Sequence, residues 1–273
     1  MKKFIGLWIT AAILLCLGIS LTVAGAASGA TQIIKNSGGL IDKIADFMES
    51  NIIKHEQPVD ITDTAGIDEE IQRLNIYLEG FAISLKPTNK DDISIKYTNP
   101  NAGDINILND NGIITIKGVN TYNHLNNLPV EIFVPIKFSP EVIIESEHSA
   151  VSVEDLTLDS LTCNTTNAAI SVEDVHCAAN LTLTTLDALI NVESVYADNI
   201  SINSDIGIVN FDSLLFNQLN ITNVTGAING ELESRSLYTV TTTNNGTTNT
   251  VGTGARVVNI TNDTGFINIE YDN

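Results

Sequence analysis

Residues 150–156 read AVSVEDL, and residues 169–175 read AISVEDV. The phrase returns after 19 residues, and the recurrence goes on. With Val151 and Ile170 as anchors, the next fall at Ile190, Val209, Ile228, a degenerate copy at Thr248, and Ile267, in steps of 19 or 20 residues. Ile114 reads as an earlier copy, 37 residues before Val151. Self-similarity at a short fixed period marks stacked structural units, none of which buries its apolar face alone.

Other columns repeat with the anchors. Two residues before them stand Gly112, Ser149, Ala168, Ala188, Gly207, Gly226, Gly246 and Gly265. A corner that needed a positive φ would exclude Ala and Ser, so Ser149, Ala168 and Ala188 imply a steric limit instead. Nine and seven residues before the anchors lie apolar pairs: Ile105/Ile107, Val142/Ile144, Leu161/Cys163, Leu181/Leu183, Ile200/Ile202, Leu219/Ile221 and Val258/Ile260. Residues 237–252 keep no clean pair and read as one degenerate coil. Within each copy the period is two: Val151 and Val153 point one way, Ser152 and Glu154 the other, and likewise Val172 inward and Ser171 toward water. Turn-formers such as Asp159-Ser160 and Asp198-Asn199 separate the strands. The expected fold is all-β, a parallel β-solenoid of 19–20-residue coils.

The chain has 273 residues, a formal charge of −20 and 5% aromatic residues. After Lys137 there are 18 Asp and Glu against only Arg235 and Arg256. Nucleic acid and anionic lipid both require a basic footprint, so neither fits the repeat region as a partner. Cys163 and Cys177 fall on inward positions of one coil, where buried free thiols are expected over a disulfide. No Cys/His spacing suggests zinc, and no cofactor is implied.

Lys2 and Lys3 precede an apolar run from Phe4 to Ala24 with no charge before Thr31. About 21 residues at 1.5 Å each span the ~30 Å hydrocarbon core. Residues 1–30 are therefore expected to be a retained single-pass anchor, although Ala24-Gly25-Ala26 leaves a cleaved signal sequence open. The two lysines keep the N-terminus cytoplasmic and send the rest outward. Cys16 follows the bulky Leu15, which argues against a lipoprotein. Residues 31–70 comprise a short amphipathic helix near 39–54 and a polar linker. Strand patterns fill 71–273, interrupted at 119–140.

With the anchor, the segment LPVEIFVPIKFSPEVIIES and the small-x-[IV]-x-[IVF] repeats in view, the chain resembles the bacterial putative-adhesin family of membrane-anchored β-strand-repeat proteins, a domain of unknown function. The resemblance covers most of residues 70–273. It implies a repetitive β fold at the cell envelope, with an envelope protein or surface polymer as partner and no catalytic residues to carry over. Some relatives are associated with envelope-stress operons, so a stress-sensing or regulatory membrane protein is the alternative to an adhesin.

A carbohydrate-active enzyme of the β-helix type would need clustered carboxylates with a base or metal in a groove. The histidines, His55, His124, His148 and His176, sit in unrelated contexts, and a non-enzymatic protein is expected. The sequons Asn180-Leu-Thr, Asn199-Ile-Ser and Asn220-Ile-Thr read as by-products of strand composition. One acidic column remains. Three residues after each anchor stand Glu154, Glu173, Glu193, Asp212, Glu231 and Glu270. Stacking makes the first five a ladder that is either a solvated face or a collector of divalent cations.

Overall fold

The computed structural model describes residues 71–97, 105–119 and 128–271, all within one compact unit, Glu56–Asn273. The anchor, the amphipathic helix, the linker, Cys16, His55 and His124 lie outside the described residues. Among the described residues no helix is long and apolar enough to cross a membrane.

The middle of the domain is a solenoid of three-walled coils. The first wall stacks β7 (Glu141–Ser146), β10 (Ser160–Thr165), β13 (Asn180–Glu193), β14 (Asn199–Asp212) and β15 (Gln218–Leu232) as parallel neighbours. The second wall stacks β8 (Val151–Glu154), β11 (Ile170–Glu173) and the C-terminal halves of β13, β14 and β15. The third is narrower: β9 (Thr157–Leu158) pairs with β12 (His176–Cys177), continued by single bridges from His176 to Tyr196 and from Tyr196 to Leu215.

All three walls turn apolar columns inward. Leu161, Leu181, Ile200 and Leu219 form one; Val153, Val172, Val192 and Phe211 another; Leu158, Cys177, Ala197 and Phe216 a third. Each is at most 3% exposed, which makes the interior dry from coil to coil. Burying such a side chain is worth about 1.5–3 kcal/mol, and the coil supplies several in under twenty residues. Cys163 and Cys177 are free and buried among them.

Both ends depart from simple stacking. The first strand, β1 (Arg73–Glu79), does not end the stack: it lies between β7 and β5 (Ile113–Val119), in register Leu74↔Ile114 and Leu74↔Val142. Similarly β2 (Phe81–Thr88) lies between β8 and β6 (Leu128–Pro135), with Ile83↔Val151 and Ile83↔Val130. Two expectations are thereby corrected. Ile114 belongs to the column of Val142, not of Val151, and LPVEIFVP is a wall strand rather than an interruption. Gly112 is the turn of an antiparallel hairpin joining β4 (Ile105–Asp110) to β5. A further antiparallel strand, β3 (Ser94–Tyr97), borders β6.

The other end repeats the device. β18 (Arg256–Tyr271) stacks directly on β15, with Ile228↔Ile267. β16 (Tyr238–Asn244) lies beyond β18, and β17 (Thr247–Val251) folds back antiparallel on β16. Residues 237–252 are thus a capping hairpin rather than a degenerate coil, and Thr248 is no anchor. A stack of coils exposes an open sheet edge at each end, and a polar antiparallel hairpin blunts it.

The small-residue corner also differs from expectation. At Gly207, Gly226 and Gly265 φ is +155°, +137° and +144°. A Cβ on Gly226 would lie 1.9 Å from the carbonyl oxygen of Gly207. Space and backbone conformation both select glycine there. Ser149, Ala168 and Ala188 have ordinary negative φ, so the corner changes conformation along the stack. Strand continuity changes one coil earlier: β13, β14 and β15 run unbroken through the bend, β13 with Ala188 at negative φ, whereas β10 and β11 are separate strands.

Inside that corner runs a buried polar column, Thr165, Thr185, Ser204, Asn223 and Asn262. Asn262 donates from Nδ2 to the carbonyl oxygens of Gly226 and Phe266, both at 3.0 Å, and Asn223 to that of Gly207 at 3.4 Å. Thr165 donates to the Ala168 carbonyl at 3.0 Å. These bonds tie the buried side chains to the backbone of the bend. Ser171 is a smaller correction: it is 6% exposed, so its neighbours cover the position expected to face water.

Candidate functional site

The interior is filled by side chains, which leaves the outward faces to meet other molecules. They differ sharply. On the second wall the acids stack as expected: Glu154↔Glu173, Glu173↔Glu193 and Glu193↔Asp212 are strand partners, and Glu231↔Glu270 continues the series. Interstrand spacing puts neighbouring backbones about 4.8 Å apart. Among the described residues, no group of three or more His, Cys, Asp or Glu converges in a way that could hold a metal ion. The ladder therefore shares a column without gathering its oxygens about one point. Ser152 donates to Glu154 at 2.5 Å and Asn268 to Glu270 at 3.3 Å, which ties part of the column to its own wall.

One residue past the ladder lies a column that sequence reasoning missed. Asp155, Asp174, Ser194 and Ser213 have φ of 55°, 51°, 53° and 53°, the left-handed region. Asp155 donates its N–H to the Glu173 carbonyl at 3.1 Å, and Asp174 to that of Glu193 at 3.1 Å. Asp155, Asp174 and Ser194 so close the second wall of their coils with a left-handed residue tied to the next coil. The signal was present as Asp or Ser after the first four acids, residues that tolerate this conformation.

The third wall carries few outward groups. His176 meets Tyr196 edge to face, ring centroids 4.4 Å apart. Asn217 donates to Asp198 at 3.0 Å. His148, in a turn, lies 3.3 Å from the amide nitrogen of Asn167. These histidines stand apart on different parts of the coils, and Cys177, the thiol next to His176, is buried in the core. Burial pushes the Cys163 and Cys177 thiols up to about 12, so neither is a thiolate at neutral pH.

The first wall presents no charge across seven strands. In the two central outward columns of β10, β13, β14, β15, β18, β16 and β17 all fourteen residues are Thr, Ser or Asn, and the flanking column of Ser160, Asn180, Asn199, Gln218, Val257 and Thr239 is also uncharged. At its centre Thr182, Ser201 and Asn220 form one column and Thr184, Asn203 and Thr222 the next. Asn259 donates to Asn220 at 3.0 Å. Beyond β10 the pattern ends, with Glu145 and Ile143 on β7.

The fold and faces define a capped β-solenoid whose chemistry lies on its surface. The chain belongs to the Toastrack DUF4097 family, whose model matches residues 71–233. It is also similar to two solved structures. One is a putative cell adhesion protein from Clostridium sporogenes: 10% identity, 79% of this chain and 100% of that one covered, TM-score 0.39. The other is a putative adhesin from Parabacteroides merdae: 12% identity, 78% of this chain and 94% of that one, TM-score 0.33. No curated protein matches the chain.

Proposed function

We propose that the chain is a non-enzymatic surface-interaction module, held outside the cell membrane by its N-terminal segment and presenting the solenoid to envelope or surface partners. The observation that carries this reading is the division of the walls. Inward positions are spent on a dry core, while outward positions form long uniform columns rather than a converging set of unlike groups. Catalysis needs a nucleophile, base and stabilising donor within hydrogen-bond reach of one reacting atom. Extended uniform faces suit repeated weak contacts with an extended partner. The charge-free run at Phe4–Ala24 supports the anchor.

The test uses cells producing the full chain. Protease added to intact cells should remove the repeat domain and leave an N-terminal fragment in the membrane. Attachment of these cells to surface material should exceed that of cells lacking the chain and fall after protease. A domain protected in intact cells, or attachment independent of the chain, overturns the reading.

A further inference from the structure

The first wall and the second belong to the same coils and both face outward. The second carries an acid on each of six strands, whereas the first carries none on seven. A face selected only for solubility and against edge pairing accepts Lys and Glu readily. A chain with a net charge of −20 carries none of them on this seven-strand stretch of the wall, although Glu141 and Glu145 stand on the adjoining β7. We propose that this wall binds the flat face of a neutral, hydroxyl-rich polysaccharide; the inference rests on the surface-interaction reading and names its partner class.

Each side-chain type on the wall, hydroxyl or carboxamide, both donates and accepts. Sugar hydroxyls do the same, so either partner can take either role along the array. Anionic polymers lack a cation here and meet the field of an acidic chain. A cationic partner would choose the acid ladder. A protein partner would want aromatic or Arg anchors, and none stands in these two columns. The array has the periodicity of a polymer face: about 4.8 Å between strands and roughly 6.7 Å between same-face residues of one strand. It is a broad sheet face, whereas a single protruding ligand would need a pocket. Individual contacts compete with water and are weak, and the repeat supplies affinity through many of them.

The full-length chain, kept in mild detergent, is co-sedimented with microcrystalline cellulose, chitin and an insoluble β-glucan. Binding to at least one is expected, and it should persist in 1 M NaCl because no charge takes part. Thr184→Lys/Asn203→Lys should weaken it at least tenfold, with an unchanged melting curve showing that the fold is intact. Ser152→Lys on the second wall should leave it unchanged. Absence of binding to all three polymers, loss of binding in salt, equal binding by the first-wall variant, or retention by ice crystals instead would each overturn the proposal. The cell-attachment measurement separates the two claims. Attachment that persists unchanged with Thr184→Lys/Asn203→Lys sinks the polysaccharide wall alone; absence of chain-dependent attachment sinks the surface module.

Discussion

The ring of Phe211 occupies the space that a side chain on Gly230 would fill. A Cβ on Gly230 would lie 1.9 Å from Cζ and 2.2 Å from Cε1 of that ring. The two are strand partners in the column that holds Val153, Val172 and Val192 in earlier coils. One oversized residue and one absent side chain thus share the volume of two valines. Gly230→Val alone overpacks the column and should cost about 1–3 kcal/mol. Phe211→Val alone leaves a cavity and should cost about 2–4 kcal/mol. Together the substitutions restore the column, so the double variant should be more stable than the sum predicts by about 1–3 kcal/mol. Denaturant melts of the four proteins measure this, and strict additivity would show that the residues do not compete for one space.

The corner glycines differ from the turn glycine of the capping hairpin. Gly226 combines a φ of +137° with a carbonyl oxygen at 1.9 Å from the would-be Cβ. Gly246 has a φ of +74° and nothing within 4 Å. Gly246→Ala should cost about 1–2 kcal/mol, the strain of a left-handed residue. Gly226→Ala must also displace the neighbouring coil's backbone and should cost at least about 2 kcal/mol more. Thermal melting orders them, and equal losses would remove the steric part of the account.

What the sequence showed and hid follows from the same geometry. The apolar columns Val153–Val172–Val192 and Leu161–Leu181–Ile200 were legible because period two fixes the facing and period 19–20 fixes the stacking. Which coils touch was not. Ile83 and Val130 both match the anchor column, and β2 nonetheless sits between β6 and β8, because periodicity assigns a residue to a column without ordering the coils. Ala188 and Gly207 look alike as small residues, although only Gly207 takes a positive φ. The acid ladder was read directly, since it needs only the column. The uncharged first wall escaped notice because Thr, Ser and Asn are ordinary on strands and turns; only the register shows them gathered on one face.

The acid ladder makes a prediction about salt. Glu193 has Glu173 and Asp212 as strand partners. Unit charges about 5 Å apart repel by roughly 0.8 kcal/mol even in water, before screening. Glu193→Gln should therefore raise the melting temperature in low salt, and the gain should shrink in 0.5 M NaCl. Because the described carboxylates do not converge on a metal, CaCl2 and NaCl at equal ionic strength should stabilise the native chain alike. An excess effect of Ca²⁺, abolished by Glu193→Gln, would instead make the ladder a cation site.

The two core thiols give an alkaline signature. Burial pushes Cys163 and Cys177 up to about 12 in the folded chain, while an exposed thiol ionises near 8.5. Between about 8.5 and 12 the unfolded chain has released protons that the folded chain still holds. Stability is thus fully present below about 8.5 and falls as pH rises through that window, by up to about 1.4 kcal/mol per pH unit for each thiol. In the native state at pH 8 both should resist iodoacetamide and react only after denaturation. Cys163→Ala/Cys177→Ala loses packing at every pH, so the diagnostic is the slope. Chemical melts at pH 8 and 9.5 should show a smaller drop for the variant than for the native chain. Identical slopes, or alkylation of the folded protein at the rate of a free thiol, would mean that the coil holding these residues opens to solvent.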